Sequence, residues 1–228
     1  MIKNLISQKD NFSRFEVILA IAFYIAVLLL LYLFGLYYDS FPIIKIFTYS
    51  FRTLSFIEYA MVIGLLVITK RQLRSIGVTK KNYKESILLG IGVGIFFLII
   101  SLILSQINGT TFRGMNYLSF GIVYYTIEIG LIEELIFRGF IQTRFVGYFK
   151  NKFLAVILTG IFFSLFHIPF QILQTDYSLL EYLSHNYSHL ITTFLYHFLC
   201  TALYYKYNNI LAPTIVHLFI NLSFSMYI

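Results

Sequence analysis

The chain has 228 residues, of which 59% are hydrophobic and 12% charged, with a net charge of +7 and a mean hydropathy of +0.80. A soluble domain carries roughly 25% charged residues, so too little polar side chain is present to coat a water-facing surface, and the exterior must meet lipid. Disorder is excluded by the same figures, as is a nucleic-acid-binding domain despite the positive charge. A single cysteine, Cys200, excludes an intrachain disulfide, and no CxxC or Cys/His zinc spacing occurs.

Seven apolar stretches approach the 20 or so residues that a membrane-spanning helix needs. They are approximately Phe15–Tyr37, Leu54–Thr69, Ser86–Ile107, Tyr117–Phe140, Phe153–Leu173, Ser188–Tyr205 and Ile210–Ile228. The runs are continuous and do not alternate in ten-residue segments, which disfavours a β-barrel. The predicted fold class is therefore all-α: a polytopic transmembrane helix bundle of about seven spans, multi-pass in the cell membrane. The first run exceeds the apolar core of a signal peptide and no A-x-A-like site follows it, so it reads as a retained anchor. Between the first two runs, Phe41–Phe51 contains Pro42 and Lys45 and precedes Arg52, which fits an interfacial helix. The loop Lys70–Lys84 is the nearest thing to a divider, and no internal repeat is visible.

Orientation follows from lysine and arginine. With the N-terminus cytoplasmic, the inner side holds 13 of the 17 basic residues, clustered around Lys3–Arg14, Lys70–Lys84, Arg144–Lys152 and Lys206. The outer side holds Lys45, Arg52 and Arg113, and Arg138 falls within the membrane. The positive charge then serves topology and attraction to anionic headgroups.

Ionisable groups inside spanning helices are costly, about 2.5–3.5 kcal/mol each on insertion scales, and usually face a protein interior or a cavity. The fourth stretch carries Glu128, Glu133, Glu134 and Arg138. Glu134 and Arg138 stand four apart, as an i,i+4 ion pair prefers. Glu133 lies about 100° around the helix and needs a partner elsewhere. If the fourth helix continues past Arg138 and turns near Phe149–Lys150, Glu133 lies about 16 residues before the turn and His167 about 17 after it. At about 1.5 Å per residue the two sit at nearly one depth. On the seventh stretch, His217 and Asn221 share a helix face, with Pro213 near the helix start. Glu133, His167, His217 and Asn221 from three helices can converge in one interior pocket.

Three segments carry a family resemblance: Glu133-Glu134-Leu-Ile-Phe-Arg138 followed by Gly139, Phe163-Ser-Leu-Phe-His167, and His217-Leu-Phe-Ile-Asn221 preceded by Leu211-Ala-Pro213. In this order they resemble the EExxxR, FxxxH and HxxxN/D motifs of the CPBP family, the Abi or type II CAAX prenyl endopeptidase group of intramembrane proteases. The likeness covers residues 117–225 and divides the chain into generic transmembrane helices (1–115) and a catalytic helical core (116–228). It implies an endopeptidase acting on a peptide or membrane-protein substrate within membrane lipid, with no nucleic-acid partner and a site open toward the cytoplasm. It further implies that Glu133 and His167 activate a water, that His217 and Asn221 stabilise the tetrahedral oxyanion, and that Glu134 and Arg138 support them. No cofactor is expected. A zinc-dependent version using His167, His217 and a glutamate competes, although HExxH is absent. A non-catalytic membrane regulator or bacteriocin-immunity protein acting by partner binding is the alternative from another class. A transporter is disfavoured by the lack of an inverted repeat.

Other signals read as structural. His185 and His189 have i,i+4 spacing without the HExxH glutamate and fit a surface pair at the outer edge. His197 fits packing among aromatics. Gly90-Ile-Gly-Val-Gly94 lies mid-span and fits close helix–helix approach rather than nucleotide binding. Glu58 and Glu128 fit helix packing near the outer side.

Overall fold

A computed structural model describes residues 12–37 and 52–228. The described residues form seven helices and no strand. These are α1 (Arg14–Tyr37), α2 (Arg52–Ile68), α3 (Tyr83–Asn108), α4 (residues 115–148), α5 (Lys152–Ile172, with a turn at His167), α6 (Leu179–Tyr207) and α7 (Leu211–Ser225). Each corresponds to one predicted apolar run. α1, α3 and α5 are long and apolar enough to cross a membrane, and α2 and α7 are shorter apolar helices. The interfacial helix expected at Phe41–Phe51 lies outside the described residues, as do Lys3, Lys9 and Lys45.

The exterior is apolar, as the composition requires. Phe15, Ile18, Ile25 and Leu29 on α1 and Phe96, Ile99 and Ile103 on α3 are exposed. The opposite stripe of α1, Val17, Ala20, Tyr24, Val27 and Leu31, recurs every three or four residues and is buried, as an amphipathic face requires. Tyr24 stacks on Phe162 of α5 at 4.3 Å and Phe23 meets Phe140 of α4 edge-on at 5.6 Å.

The second half of α4 is surrounded: Phe137, Phe140 and Ile141 have no exposed surface. Arg144 is also fully buried, which corrects its expected place among the loop charges. Its Nη1 donates to Thr143 Oγ1 at 2.9 Å and its guanidinium lies 4.0 Å from the Phe140 ring. α4 extends to Tyr148, past the predicted end at Phe140, so the turn to α5 falls where the depth estimate put it.

Glycines set how closely helices approach. A Cβ on Gly90 would lie 2.9 Å from Ile215 Cβ, and one on Gly94 would run into the Phe219 ring. The Gly90/Gly94 face therefore packs directly on α7, as expected of this spacing. His197 is fully buried, with Nε2 donating to the Val156 carbonyl at 3.1 Å, and its ring lies 2.9 Å from where a Cβ on Gly160 would stand. It joins α6 to α5, in keeping with the packing role expected of it.

Loop contacts define two ends of the bundle. At one end Arg71 Nε donates to Glu16 Oε1 at 2.8 Å, Ile210 N donates to Gly77 O, and Asn209 Nδ2 donates to Thr79 and Lys81 carbonyls. This end carries the basic loops. At the other, Thr111 N donates to Ile228 O and Arg113 N to Met226 O, closing the α3–α4 loop on the C-terminal residues.

Candidate active site

The helix that carries the paired glutamates departs from α-helical winding on both sides of them. Tyr124–Leu131 and Leu135–Gln142 are π-helical, and Ile132–Glu134 between them is α-helical. Widened i→i+5 turns of this kind cluster at functional positions. Within this stretch α7 packs against Gly130: a Cβ there would stand in ordinary contact, 3.4 Å from Thr214 O and 3.5 Å from His217 Cβ.

That approach puts the His217 ring between the two glutamates. Its Nδ1–H donates to Glu134 Oε1 at 3.1 Å, and its Nε2 lies 3.7 Å from Glu133 Oε2. Glu134 also receives Arg138, whose Nη1 stands 3.0 Å from the same oxygen, and both of these side chains are 0% exposed. The Arg138 guanidinium covers the Phe163 ring at 4.1 Å, so the charge is held by a carboxylate on one side and an aromatic face on the other. Glu133 and His217 retain 12% of their side-chain surface. One pair is thus sealed and the other can be reached.

The turn at His167 ends the regular part of α5, and Pro169 follows in the short continuation. His167 Nδ1–H donates to the Phe163 carbonyl at 2.9 Å. A carbonyl accepts only, so in the neutral ring Nε2 carries the free lone pair. Phe163 therefore orients His167 through its backbone, meets its ring edge-on at 5.3 Å and supports Arg138 through its own ring. Asn221, one turn beyond His217, has a buried Nδ2 with no hydrogen-bond partner among the described residues.

Two cavities flank these groups. The first, about 360 Å³, is lined by Arg138, Phe163, Tyr196, Cys200 and Phe224 among others; the second, about 330 Å³, by Glu58, Glu128, Glu133, Phe166 and Phe170 among others. His167, His189, His217 and Asn221 line both. All four expected catalytic residues therefore border the second cavity, while Arg138 lines the first and Glu134 lines neither. The expected Glu134–Arg138 pair is present; Glu133, which needed a partner from another helix, stands against His217, and the same imidazole also meets Glu134.

Three residues read as structural belong to the cavities. His189 lines both, with its ring centroid 5.6 Å from that of His167. It was placed at an outer edge because the sixth span was started at Ser188, whereas α6 begins at Leu179 with a Ser178/Glu181 capping box. The S-x-x-E pattern that announces such a start is present in the sequence and would have moved His189 inside. Glu58 and Glu128 line the second cavity, in keeping with the rule that a carboxylate on an apolar run faces an interior or a cavity, although nothing in the sequence says which cavity.

Among the described residues, no three His, Cys, Asp or Glu side chains are gathered closely enough to hold a metal ion, and both nitrogens of His217 face glutamates. The arrangement does not fit the zinc site considered from sequence.

The cavities extend toward the helix ends remote from the basic loops: Glu58 lies near the start of α2, Gln171 near the end of α5 and Phe224 near the end of α7. The lining thus lies toward the end remote from the basic loops, whereas the resemblance implied a site open to the cytoplasm.

Residues 115–223 match the family model described as type II CAAX prenyl endopeptidase Rce1-like. No curated protein and no solved structure matches the chain. The matched segment spans α4 through most of α7 and contains Glu133, His167, His217 and Asn221. Residues 115–223 of this membrane protein thus form a domain of the type II CAAX prenyl endopeptidase Rce1-like kind, a family of proteases.

Proposed function

We propose that the chain is a multi-pass endopeptidase of the cell membrane that hydrolyses a peptide bond of a membrane-associated substrate with a water activated between Glu133 and His167. The observation that carries this reading is the meeting of Glu133, His167, His217 and Asn221, from three helices, on one cavity wall. Glu133 and the free Nε2 of His167 are proton acceptors on residues that line the same cavity, as a general base requires. As the water oxygen bonds to the carbonyl carbon, its proton passes to one of them. The oxyanion that forms is met by Asn221 Nδ2–H and by His217 Nε2 when that atom is protonated, donors in a water-poor site of the kind that stabilises such charge. The tetrahedral intermediate then collapses as the C–N bond breaks and the held proton goes to the leaving nitrogen. Glu134 fixes the His217 ring through Nδ1–H, and Arg138 balances the charge of Glu134.

The donor set supports a metal-free version, because His217 is already engaged by two carboxylates. The charge bias supports a cytoplasmic N-terminus, and with it cavities that open toward the outer leaflet.

A comparison of membrane proteomes from cells carrying wild type and Glu133→Gln tests the reading. Uncleaved precursors are expected to accumulate in the variant at unchanged protein abundance. Identical proteomes, or a loss of the variant protein itself with no precursor, would favour a non-catalytic role in which these groups only pin helices.

A further inference from the structure

We propose that the second cavity is a subsite for a cationic side chain, a lysine or arginine of the peptide substrate held beside the bond to be cleaved. The proposal rests on the proteolytic reading above and adds a substrate class to it.

Three of the chain's ten acidic residues, Glu58, Glu128 and Glu133, line this cavity, and among the described residues no lysine or arginine does. Its other titratable lining residues are His167, His189 and His217. Glu58 is 4% exposed and its Oε1 has no hydrogen-bond partner among the described residues. A buried carboxylate oxygen without a partner is costly, and a ligand cation placed in the cavity would supply one. The remaining wall is largely apolar, with Leu31, Leu54, Ile132, Phe166 and Phe170. An apolar sleeve that holds carboxylates suits a side chain with an aliphatic stem and a charged head. It suits a bare metal ion poorly, because no three ligating side chains converge on a point among the described residues.

The first cavity differs in character. Among the described residues it has no acidic lining residue, its Arg138 is paired with Glu134, and it offers Phe163, Thr192, Thr193, Tyr196 and Phe224. The four residues shared by both cavities stand at the border, where the scissile bond would lie. A peptide drawn across it places neutral or apolar residues on one side and a basic residue on the other. Glu133 then has two neighbours, the attacking water and the bound cation.

The chain contains no tryptophan, so a peptide carrying one reports binding to the detergent-solubilised full chain without protein background. The probes are apolar ten-residue peptides with one tryptophan, in which a lysine is moved along the sequence, each with a norleucine counterpart. Wild type is expected to bind the lysine peptide about tenfold more tightly at one or two adjacent positions, the scale of a hydrogen bond to a charged group, and Glu58→Gln to bring that ratio close to one. Equal binding of lysine and norleucine peptides at every position overturns the proposal, as does a preference that Glu58→Gln leaves intact. The wild-type ratio decides even if the variant does not fold. Cleavage is read in the same samples by mass spectrometry. Cleavage without lysine preference removes the subsite and leaves the protease, whereas lysine preference without cleavage does the reverse.

Discussion

Asn221 Nδ2 is a donor held in the protein interior with nothing to donate to among the described residues. Such a group is costly unless a partner arrives, and the proposed oxyanion is that partner. Asn221→Ala is expected to lower kcat about 10²–10³-fold, the usual loss of one oxyanion donor, with a smaller change in KM; equal effects on kcat and KM, or none, would remove Asn221 from that role. The glutamates show what residue-level reading could and could not reach. The i,i+4 spacing of Glu134 and Arg138 gave their ion pair directly. The offset of Glu133 gave a second face, but its partner depended on how near α7 comes at Gly130. At that distance a single imidazole spans both faces.

At the scale of helices, the apolar runs and their order were legible because lipid demands continuous hydrophobicity. The helix ends were less so, since α4 and α6 continue into segments whose polarity resembles loop. The π-helical stretches around Ile132–Glu134 had no signature, because wider turns are fixed by what packs against them. The Gly90/Gly94 contact was legible from spacing and gives a test with an internal control. Gly94→Ala places a methyl against the Phe219 ring and is expected to destabilise by about 1–3 kcal/mol, the range for overpacking. Gly92→Ala has nothing within 4 Å of the new Cβ and is expected to unfold at or slightly above the wild-type temperature. Thermal unfolding in detergent would separate them; indistinguishable midpoints would contradict the packing of α3 on α7.

The whole molecule has one basic end and one end toward which both cavities run. Sequence supplied the first through lysine and arginine counts. The second needed the fold, because Glu58, His167 and Phe224 lie on three helices and meet only in the bundle. Together they predict a site that faces away from the cytoplasm. Cysteines introduced at Asp176 and at Lys150, both exposed, report this, while Cys200 is buried. In intact cells a membrane-impermeant maleimide is expected to label the Asp176→Cys protein and to reach the Lys150→Cys protein only after permeabilisation. The reverse pattern would invert the bundle and turn the cavities to the cytoplasm.

The most direct measurement is cleavage of membrane-soluble peptides by the purified, reconstituted chain, followed by mass spectrometry with and without a zinc chelator. The account predicts products from wild type that persist in chelator and fall at least about 10²-fold in Glu133→Gln, the lower range for loss of a general base. Cleavage that Glu133→Gln retains in full, or that chelator abolishes and added zinc restores, would contradict a glutamate-activated water at this site.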